Sequence, residues 1–131
     1  MYKDIIKLAV DAKENSYSPY SKFRVGAAVE TEEGLYYTGC NIENAAFTPT
    51  VCAERVAIFK AISEGKKIKR IAVSGDTKAY PCGVCRQVMR EFNPEMEVII
   101  VVDNENYEKY FLKDFLPLSF GPENLAEDID V

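Results

Sequence analysis

Histidine and tryptophan are both absent from the 131-residue sequence. Without histidine, the chain cannot supply a Ser-His-Asp triad, a Cys-His dyad or an imidazole metal ligand. Acid–base chemistry would have to use carboxylates, thiols, lysines or tyrosines. The four cysteines are therefore the candidate soft metal ligands or nucleophiles.

Basic residues and long apolar runs are also scarce. The sequence has 16 Lys and Arg against 21 Asp and Glu, a formal net charge of −5. Surfaces for nucleic acids or anionic membranes need clustered basic residues, so we expect neither partner. The longest strongly apolar run, residues 98–102, is far shorter than the roughly 18 residues that span a bilayer, and the first residues contain no run typical of a signal peptide. The sequence therefore predicts a soluble, cytoplasmic protein, in which cysteines are metal ligands or reactive thiols rather than disulfides.

The hydrophobic pattern predicts one domain over residues 1–131, because no linker or repeat divides the chain. Only residues 103–106 separate the last two predicted strands, which permits an antiparallel hairpin but no parallel crossover. The order of elements predicts an α/β domain around one mixed sheet. An apolar tail, residues 115–120, and an acidic one, residues 123–130, follow. The predicted helices are 3–15, 51–64 (capped by residues 48–50) and 81–93, and the predicted strands are 23–30, 35–40, 68–74, 97–102 and 107–112.

Three of the cysteines lie in two short motifs at the predicted starts of two helices. The first is Cys52-Ala53-Glu54, and the second runs from Pro81 through Cys82 to Cys85. A helix–strand–helix order brings both helix N-termini to one edge of the sheet, where the helix dipoles favour thiolates. Three thiolates with an open fourth position are typical of a catalytic zinc site.

Two charged residues follow the first cysteine. Glu54, two residues beyond Cys52, is close enough to handle the proton of a water that zinc acidifies. Three thiolates on a divalent ion leave the site formally at −1. Arg55 is a candidate donor to the thiolates that offsets part of this charge.

The order ligand-x-Glu followed by Pro-Cys-x-x-Cys resembles the signature of zinc deaminases, here with Cys52 as the first ligand. Five segments, in order and over nearly the whole chain, resemble cytidine deaminases of the small homotetrameric type. The resemblance implies a three-layer α/β/α sandwich around a mixed five-stranded sheet whose last two strands are antiparallel. It also implies zinc-dependent hydrolytic deamination of cytidine and deoxycytidine to uridine and deoxyuridine, with release of ammonia, in pyrimidine salvage. The segments are 18–28, 41–46, 52–55, 81–87 and 116–122.

The same resemblance implies a role for individual residues. Cys52, Cys82 and Cys85 would hold one Zn²⁺ per subunit, and Glu54 would be the catalytic proton shuttle. A nucleoside would be the substrate, because a carboxylate at position 43 suits a sugar hydroxyl and repels a phosphate. The implied assembly is a homotetramer with active sites at its subunit interfaces. The implied substrate contacts are Phe23 against the base, Asn41 and Glu43 at the ribose 3′-hydroxyl, Ala46, Phe47, Ala53, and Phe120 across a subunit interface.

The sequence departs from the family pattern at two positions. Phe47 stands where many members carry Tyr, which removes a hydroxyl near the 5′ end of the sugar. Tyr80 stands where Ser commonly precedes the Pro-Cys motif, which changes the rim of the pocket.

Other interpretations are consistent with the same residues. Cys82 and Cys85 also suit a thioredoxin-like redox pair. A closed structural zinc site could use Cys40 as a fourth ligand, although the simpler interpretation of Cys40 is a core residue. Asn41 and Glu43 also suit a strand-ending turn, Phe23 also suits the core, and Arg86 suits either solvent or the site. Among enzymes, the alternative substrate is another cytosine compound, such as a nucleotide or a nucleoside antibiotic.

Overall fold

The structure is a computed structural model that describes residues 2–125. Its sheet consists of five strands in the order β2-β1-β3-β4-β5. The strands are β1 (Val25–Thr31), β2 (Tyr36–Cys40), β3 (Ile68–Gly75), β4 (Glu97–Val101) and β5 (Tyr107–Phe111). The helices are α1 (Lys3–Ala12), α2 (Ala53–Ser63), α3 (Gly83–Phe92) and the short α4 (Leu112–Phe115), with 3₁₀ turns at Lys13–Asn15 and Pro122–Asn124.

The sheet is mixed because its strands are joined in two ways. Strand β1 pairs antiparallel with β2 and with β3, and β4 pairs antiparallel with β5. Strand β3 pairs parallel with β4, and the crossover between them contains α3. The antiparallel pairing of the last two strands was predicted from their four-residue connection and is confirmed.

Helices cover both faces of the sheet, because successive strand residues point to opposite sides. Ala28, Ala72 and Ile99 pack in one core cluster with residues of α1. Their strand neighbours, including Val73 and Ile100, pack in a second cluster with residues of α2 and α3. The predicted α/β class is confirmed, and the arrangement is the expected α/β/α sandwich.

Two glycines allow helices to approach the sheet closely. A Cβ at Gly39 of β2 would lie 2.6 Å from the carbonyl oxygen of Ala53, in the first turn of α2. A Cβ at Gly26 of β1 would lie 2.2 Å from the carbonyl oxygen of Ala9, in α1 on the opposite face. Each helix therefore packs its backbone directly on a strand backbone, with no room for a side chain.

Both helices that carry cysteine motifs begin two residues later than predicted, at Ala53 and Gly83. Residues 48–50 do not cap α2, because the Thr50 hydroxyl accepts a hydrogen bond from the Asn44 N–H. A backbone bridge between Ile42 and Val51 instead keeps the chain extended up to the helix.

The C-terminal segment differs from the predicted apolar tail. It forms α4 directly after β5 and then the 3₁₀ turn Pro122–Asn124. Of the predicted acidic tail, residues 126–130 lie outside the described part of the chain, and the single domain over 1–131 stays a prediction. Among residues 2–125, no helix is both long and apolar enough to cross a membrane.

Candidate metal centre

The sulfur atoms of Cys52, Cys82 and Cys85 all lie within 4.8 Å of one another. The Cys52 and Cys82 sulfurs are 3.6 Å apart, and the Cys82 and Cys85 sulfurs are 3.5 Å apart. Tetrahedral zinc with Zn–S bonds of about 2.3 Å requires sulfurs roughly 3.7 Å apart. The donor set and its spacing therefore fit Zn²⁺.

The chain path explains why the three thiols meet. Cys52 is the N-cap residue of α2 and Cys82 that of α3, while Cys85 lies in the first turn of α3. Strand β3 lies between the two helices in the sequence, so the N-termini of both helices lie at the same edge of the sheet. The predicted convergence of the two motifs is what the structure shows.

Hydrogen bonds between the thiols shift their pKa values strongly. The pKa of Cys52 is lowered to about 5, first because its sulfur is hydrogen-bonded to the Cys85 thiol, and also because Arg55 donates to it from Nη2 at 3.4 Å. The same hydrogen bond raises the pKa of Cys85. Without a cation the cluster favours one thiolate beside a protonated thiol, and a metal ion would replace the remaining protons.

Glu54 lies in the first turn of α2 and is only 4% exposed. Burial raises the pKa of its carboxyl to about 7. A carboxyl that titrates near neutral pH can both accept and donate a proton under physiological conditions. The adjacent Arg55 has a buried Nε with no hydrogen-bond partner in the described part of the chain.

A cavity of about 200 Å³ opens beside these groups. Phe23 and Tyr80 contribute aromatic side chains to its lining, and Glu54 and Asn41 contribute polar ones. Cys52, Cys82 and Ala53 of the lining were also named from the sequence. Five further lining residues were not predicted as site residues and contribute only small or apolar surface: Val25, Thr50, Val51, Val73 and Ala79. The lining consists of Phe23, Val25, Asn41, Thr50, Val51, Cys52, Ala53, Glu54, Val73, Ala79, Tyr80 and Cys82.

The amide of Asn41 joins the ends of two chain segments. Its Oδ1 accepts hydrogen bonds from the N–H of Val25 at 3.0 Å and from the Ser16 hydroxyl, and its Nδ2 donates to the Phe23 carbonyl at 2.8 Å. Asn41 therefore holds the ends of these segments together, and it also lines the cavity.

Glu43 and Phe47 line a neighbouring depression rather than the metal cavity, and Thr50 lines both. The Glu43 carboxylate accepts hydrogen bonds from the N–H groups of Tyr20 at 2.9 Å and Ser21 at 3.1 Å, and from the Ser21 hydroxyl. The hydroxyl bond is the main reason that the pKa of Glu43 is lowered. Phe47 is 71% exposed, and its ring meets that of Tyr20 edge to face, with centroids 6.4 Å apart.

Four other residues considered in the sequence analysis lie outside the cavity lining. Ala46 is exposed beside Phe47. Phe120 is 56% exposed, and its carbonyl accepts a hydrogen bond from Gln87. Arg86 donates to the carbonyls of Pro81 at 2.6 Å and of Phe115 at 3.0 Å, so it anchors backbone rather than facing the thiols. Cys40, at the end of β2, is not part of the metal-ligand cluster of the described residues.

Comparisons with known proteins agree with this geometry. A family model described as "Cytidine and deoxycytidylate deaminase zinc-binding region" matches residues 1–102. A cytidine deaminase from Sporosarcina psychrophila is 45% identical over 130 residues, an alignment that covers 94% of this chain and 96% of that protein. A cytidine deaminase from Halalkalibacterium halodurans is 43% identical over 127 residues, covering 94% and 96%.

A similar fold is found in a crystal structure of cytidine deaminase from Burkholderia pseudomallei. That structure has a TM-score of 0.86 and 39% identity, and the match covers 92% of this chain and 99% of the other. The family match, the relatives and the three-cysteine centre agree with one another, and they favour a deaminase over a redox pair. The chain belongs to the cytidine and deoxycytidylate deaminase family of zinc-binding hydrolases.

Proposed function

We propose that this protein deaminates cytidine and deoxycytidine to uridine and deoxyuridine, with release of ammonia. The observation that carries the proposal is that a buried carboxyl, Glu54, lines the same cavity as Cys52 and Cys82, two of the three thiols of the cysteine centre. The relatives that share at least 43% of their residues with this chain over most of its length are named cytidine deaminases. The proposal extends the activity in those names to this chain and adds the deoxynucleoside.

In the proposed reaction, Cys52, Cys82 and Cys85 hold zinc, which when bound makes hydroxide available near neutral pH. Glu54 moves the protons. Its pKa of about 7 allows it to take a proton from the attacking water, give one to N3 of the pyrimidine, and then pass the remaining hydroxyl proton to the departing amine. One carboxyl thus acts as base and acid in turn, and no histidine is needed.

The proposed substrate contacts lie in this cavity and in the depression beside it. Phe23 forms a wall for the base, with Ala53 beside it, while Asn41 and Glu43 face the sugar 3′-hydroxyl. A carboxylate has about four lone-pair positions, so the three hydrogen bonds that Glu43 already accepts leave room for a hydroxyl donor. Its lowered pKa keeps the group charged, which disfavours a phosphorylated substrate.

The rest of the sugar site would come from the exposed loop and from a second subunit. Phe47 lines the Glu43 depression, with the exposed Ala46 before it in the chain, so the sugar 5′ end would meet an apolar ring and no hydroxyl there. Phe120 is exposed and outside the cavity of its own chain, as a ring that reaches a neighbouring subunit would be. An exposed apolar groove between α2 and α3, containing Phe59 and Val84, offers a surface for the proposed homotetramer.

Free nucleosides as substrates would place the enzyme in cytoplasmic pyrimidine salvage. Ultraviolet absorbance of zinc-loaded protein mixed with cytidine, deoxycytidine, cytidine monophosphate or cytosine tests the substrate class. We expect amine loss from both nucleosides and little from the monophosphate. No loss from either nucleoside would overturn the proposal.

The role of Glu54 has its own test. Glu54→Gln removes the titrating group and keeps its shape, so we expect turnover to fall by about 10²- to 10⁴-fold while zinc content, measured by atomic absorption, stays at one per chain. The matched control is Glu64→Gln at the opposite end of α2, where the carboxylate accepts a hydrogen bond from Tyr37. Wild-type turnover in Glu54→Gln would refute the proton-shuttle role.

A further inference from the structure

The segment between β3 and α3, residues 76–82, is here called the Cys82 loop. It ends at the proposed metal ligand Cys82 and contributes Ala79 and Tyr80 to the cavity lining. Within the described part of the chain, no backbone N–H from Thr77 to Cys82 donates to a backbone carbonyl. The Cys82 carbonyl accepts a hydrogen bond from the Arg86 N–H of α3, so backbone bonds hold the two ends of the loop, and side chains must hold residues 77–81.

One carboxylate on β5 binds the loop at two points. Glu108 accepts a hydrogen bond from Lys78 Nζ at 3.0 Å on one oxygen and from the Tyr80 hydroxyl at 3.2 Å on the other. A third donor, the Tyr110 hydroxyl, lies 2.9 Å from the same oxygen as Tyr80. The ring of Tyr80 also packs against Phe115, with centroids 5.8 Å apart.

The charge of Glu108 is stabilised in this cluster. The hydrogen bond from Lys78 is the main reason that the pKa of Glu108 is lowered, and the bond to Glu108 is the main reason that the pKa of Tyr110 is raised to about 12. The carboxylate and the ammonium of Lys78 are therefore both charged at neutral pH, and the tie between loop and strand is charge-assisted.

The other contacts of the loop do not replace this tie. At its start, the Asp76 N–H donates to the Arg24 carbonyl, and the Asp76 carboxylate accepts from the Arg24 N–H at 2.7 Å and pairs with its guanidinium at 3.0 Å, which holds only this end of the loop to the residue before β1. At its end, Arg86 donates to the Pro81 carbonyl from within α3, so this bond moves with the helix. Glu108 is on β5, at the far edge of the sheet from β2, and it fixes the middle of the loop.

We propose that Glu108 is a positioning residue, which through Lys78 and Tyr80 fixes the Cys82 loop and so places Cys82 in the metal site and Tyr80 at the cavity wall. The inference rests on the proposed function in two respects, that Cys82 binds zinc and, for the KM measurement alone, that cytidine is a substrate. A loop freed from Glu108 lets its ligand detach more often, so zinc leaves faster. The same freedom moves the wall at Tyr80, which weakens substrate binding more than it slows the chemical step.

The test measures zinc release from the holoenzyme to a chromogenic chelator, without substrate. We expect release from Glu108→Ala to be about 3- to 10-fold faster than from wild type, below the about 10- to 100-fold effects of residues that touch a ligand directly. Glu108→Gln keeps an acceptor for the tyrosines and loses the charge opposite Lys78, so its release rate falls in between. KM for cytidine should rise several-fold in Glu108→Ala, with kcat at zinc saturation changed less than about 2-fold.

The matched control is Glu33→Gln, which removes an ion pair of the same 3.0 Å length, to Lys66, in the β1–β2 connection. Its zinc release should equal that of wild type. Tyr80→Phe removes only the hydroxyl bond, so it should give part of the effect and add little to Glu108→Ala in the double variant.

Two results would overturn the proposal. One is wild-type zinc release from folded Glu108→Ala, with folding checked by circular dichroism. The other is equally fast release from Glu33→Gln, which would show a general loss of stability. Because zinc release is read without substrate, either result is distinct from a failure of the proposed deaminase activity.

Discussion

Adding one methyl group at Gly39 should show whether zinc affinity and turnover depend on the position of α2 or only on the stability of the fold. In Gly39→Ala the new Cβ would lie 2.6 Å from both the Ala53 carbonyl oxygen and the Ala57 nitrogen, and ordinary contact starts at 3.4 Å. The first turn of α2 must therefore withdraw from β2 by about 0.8 Å. This turn carries Glu54 and follows Cys52 directly.

The shift has two separate consequences. Overpacking of this kind costs about 1–3 kcal/mol, or roughly 4–11 °C in the midpoint of thermal unfolding for a chain of this size. A displacement approaching 1 Å in the reactive geometry can also cost about 100-fold in turnover. The distance between the Cys52 and Cys82 sulfurs, now 3.6 Å, should lengthen, and zinc affinity should fall. Thermal unfolding, chelator competition and cytidine turnover measure the three effects.

Gly26→Ala is the matched control, because it overpacks α1 on the opposite face of the sheet. Its Cβ would lie 2.2 Å from the Ala9 carbonyl oxygen, so the loss of stability should be at least as large as in Gly39→Ala. At a temperature where both variants are folded, we expect Gly26→Ala to keep zinc affinity and turnover within about 2-fold of wild type, as α1 carries no site residue. Equal losses of turnover in the two variants would refute the argument, because stability alone would then account for both.

Two further predictions concern the subunit interface and the loop before the metal ligand. Phe120→Ala should raise KM for cytidine and leave zinc content unchanged if the ring enters a neighbouring site, and an unchanged KM in protein that sizing chromatography shows to be tetrameric would contradict this. Asp76→Asn removes a carboxylate whose pKa is lowered mainly by the Arg24 N–H at 2.7 Å. At pH values above the ordinary aspartate pKa of about 3.9, wild type should therefore be more stable than the variant. Urea unfolding should show this difference in stability vanish as the pH falls through the lowered pKa of Asp76 in the folded protein. A difference that does not change with pH would refute the linkage.

Local patterns were sufficient to predict much of the fold and the convergence of the thiols. The connection between β4 and β5 is too short for anything but a hairpin. The two cysteine motifs each begin a helix, and with one strand between them they had to meet at one sheet edge. These inferences depend on neighbours in sequence, where periodicity and chain length are informative.

The parts that sequence could not predict depend on distant contacts. Val51 continues the predicted helix by pattern, but its bridge to Ile42 keeps it extended. The carboxylate of Glu43 folds back onto Tyr20 and Ser21, 23 and 22 residues away, which places it in a separate depression. No periodicity or motif in the sequence indicates that Glu108 contacts the Cys82 loop. Its partners Tyr80 and Lys78 are 28 and 30 residues away and lie in a different element.

The absence of histidine makes Arg55 the residue that balances the proposed centre. Three thiolates on Zn²⁺ are formally −1, which weakens the ion as a Lewis acid. Arg55 donates to the Cys52 sulfur, and its buried Nε has no partner in the described part of the chain, so no carboxylate there competes for that side of the guanidinium. A partly buried cation is costly unless an anion lies beside it, and the thiolates are that anion. Burial raises the pKa of Glu54 to about 7, a backbone hydrogen bond opposes this rise, and the charge of Arg55 opposes it to a smaller extent.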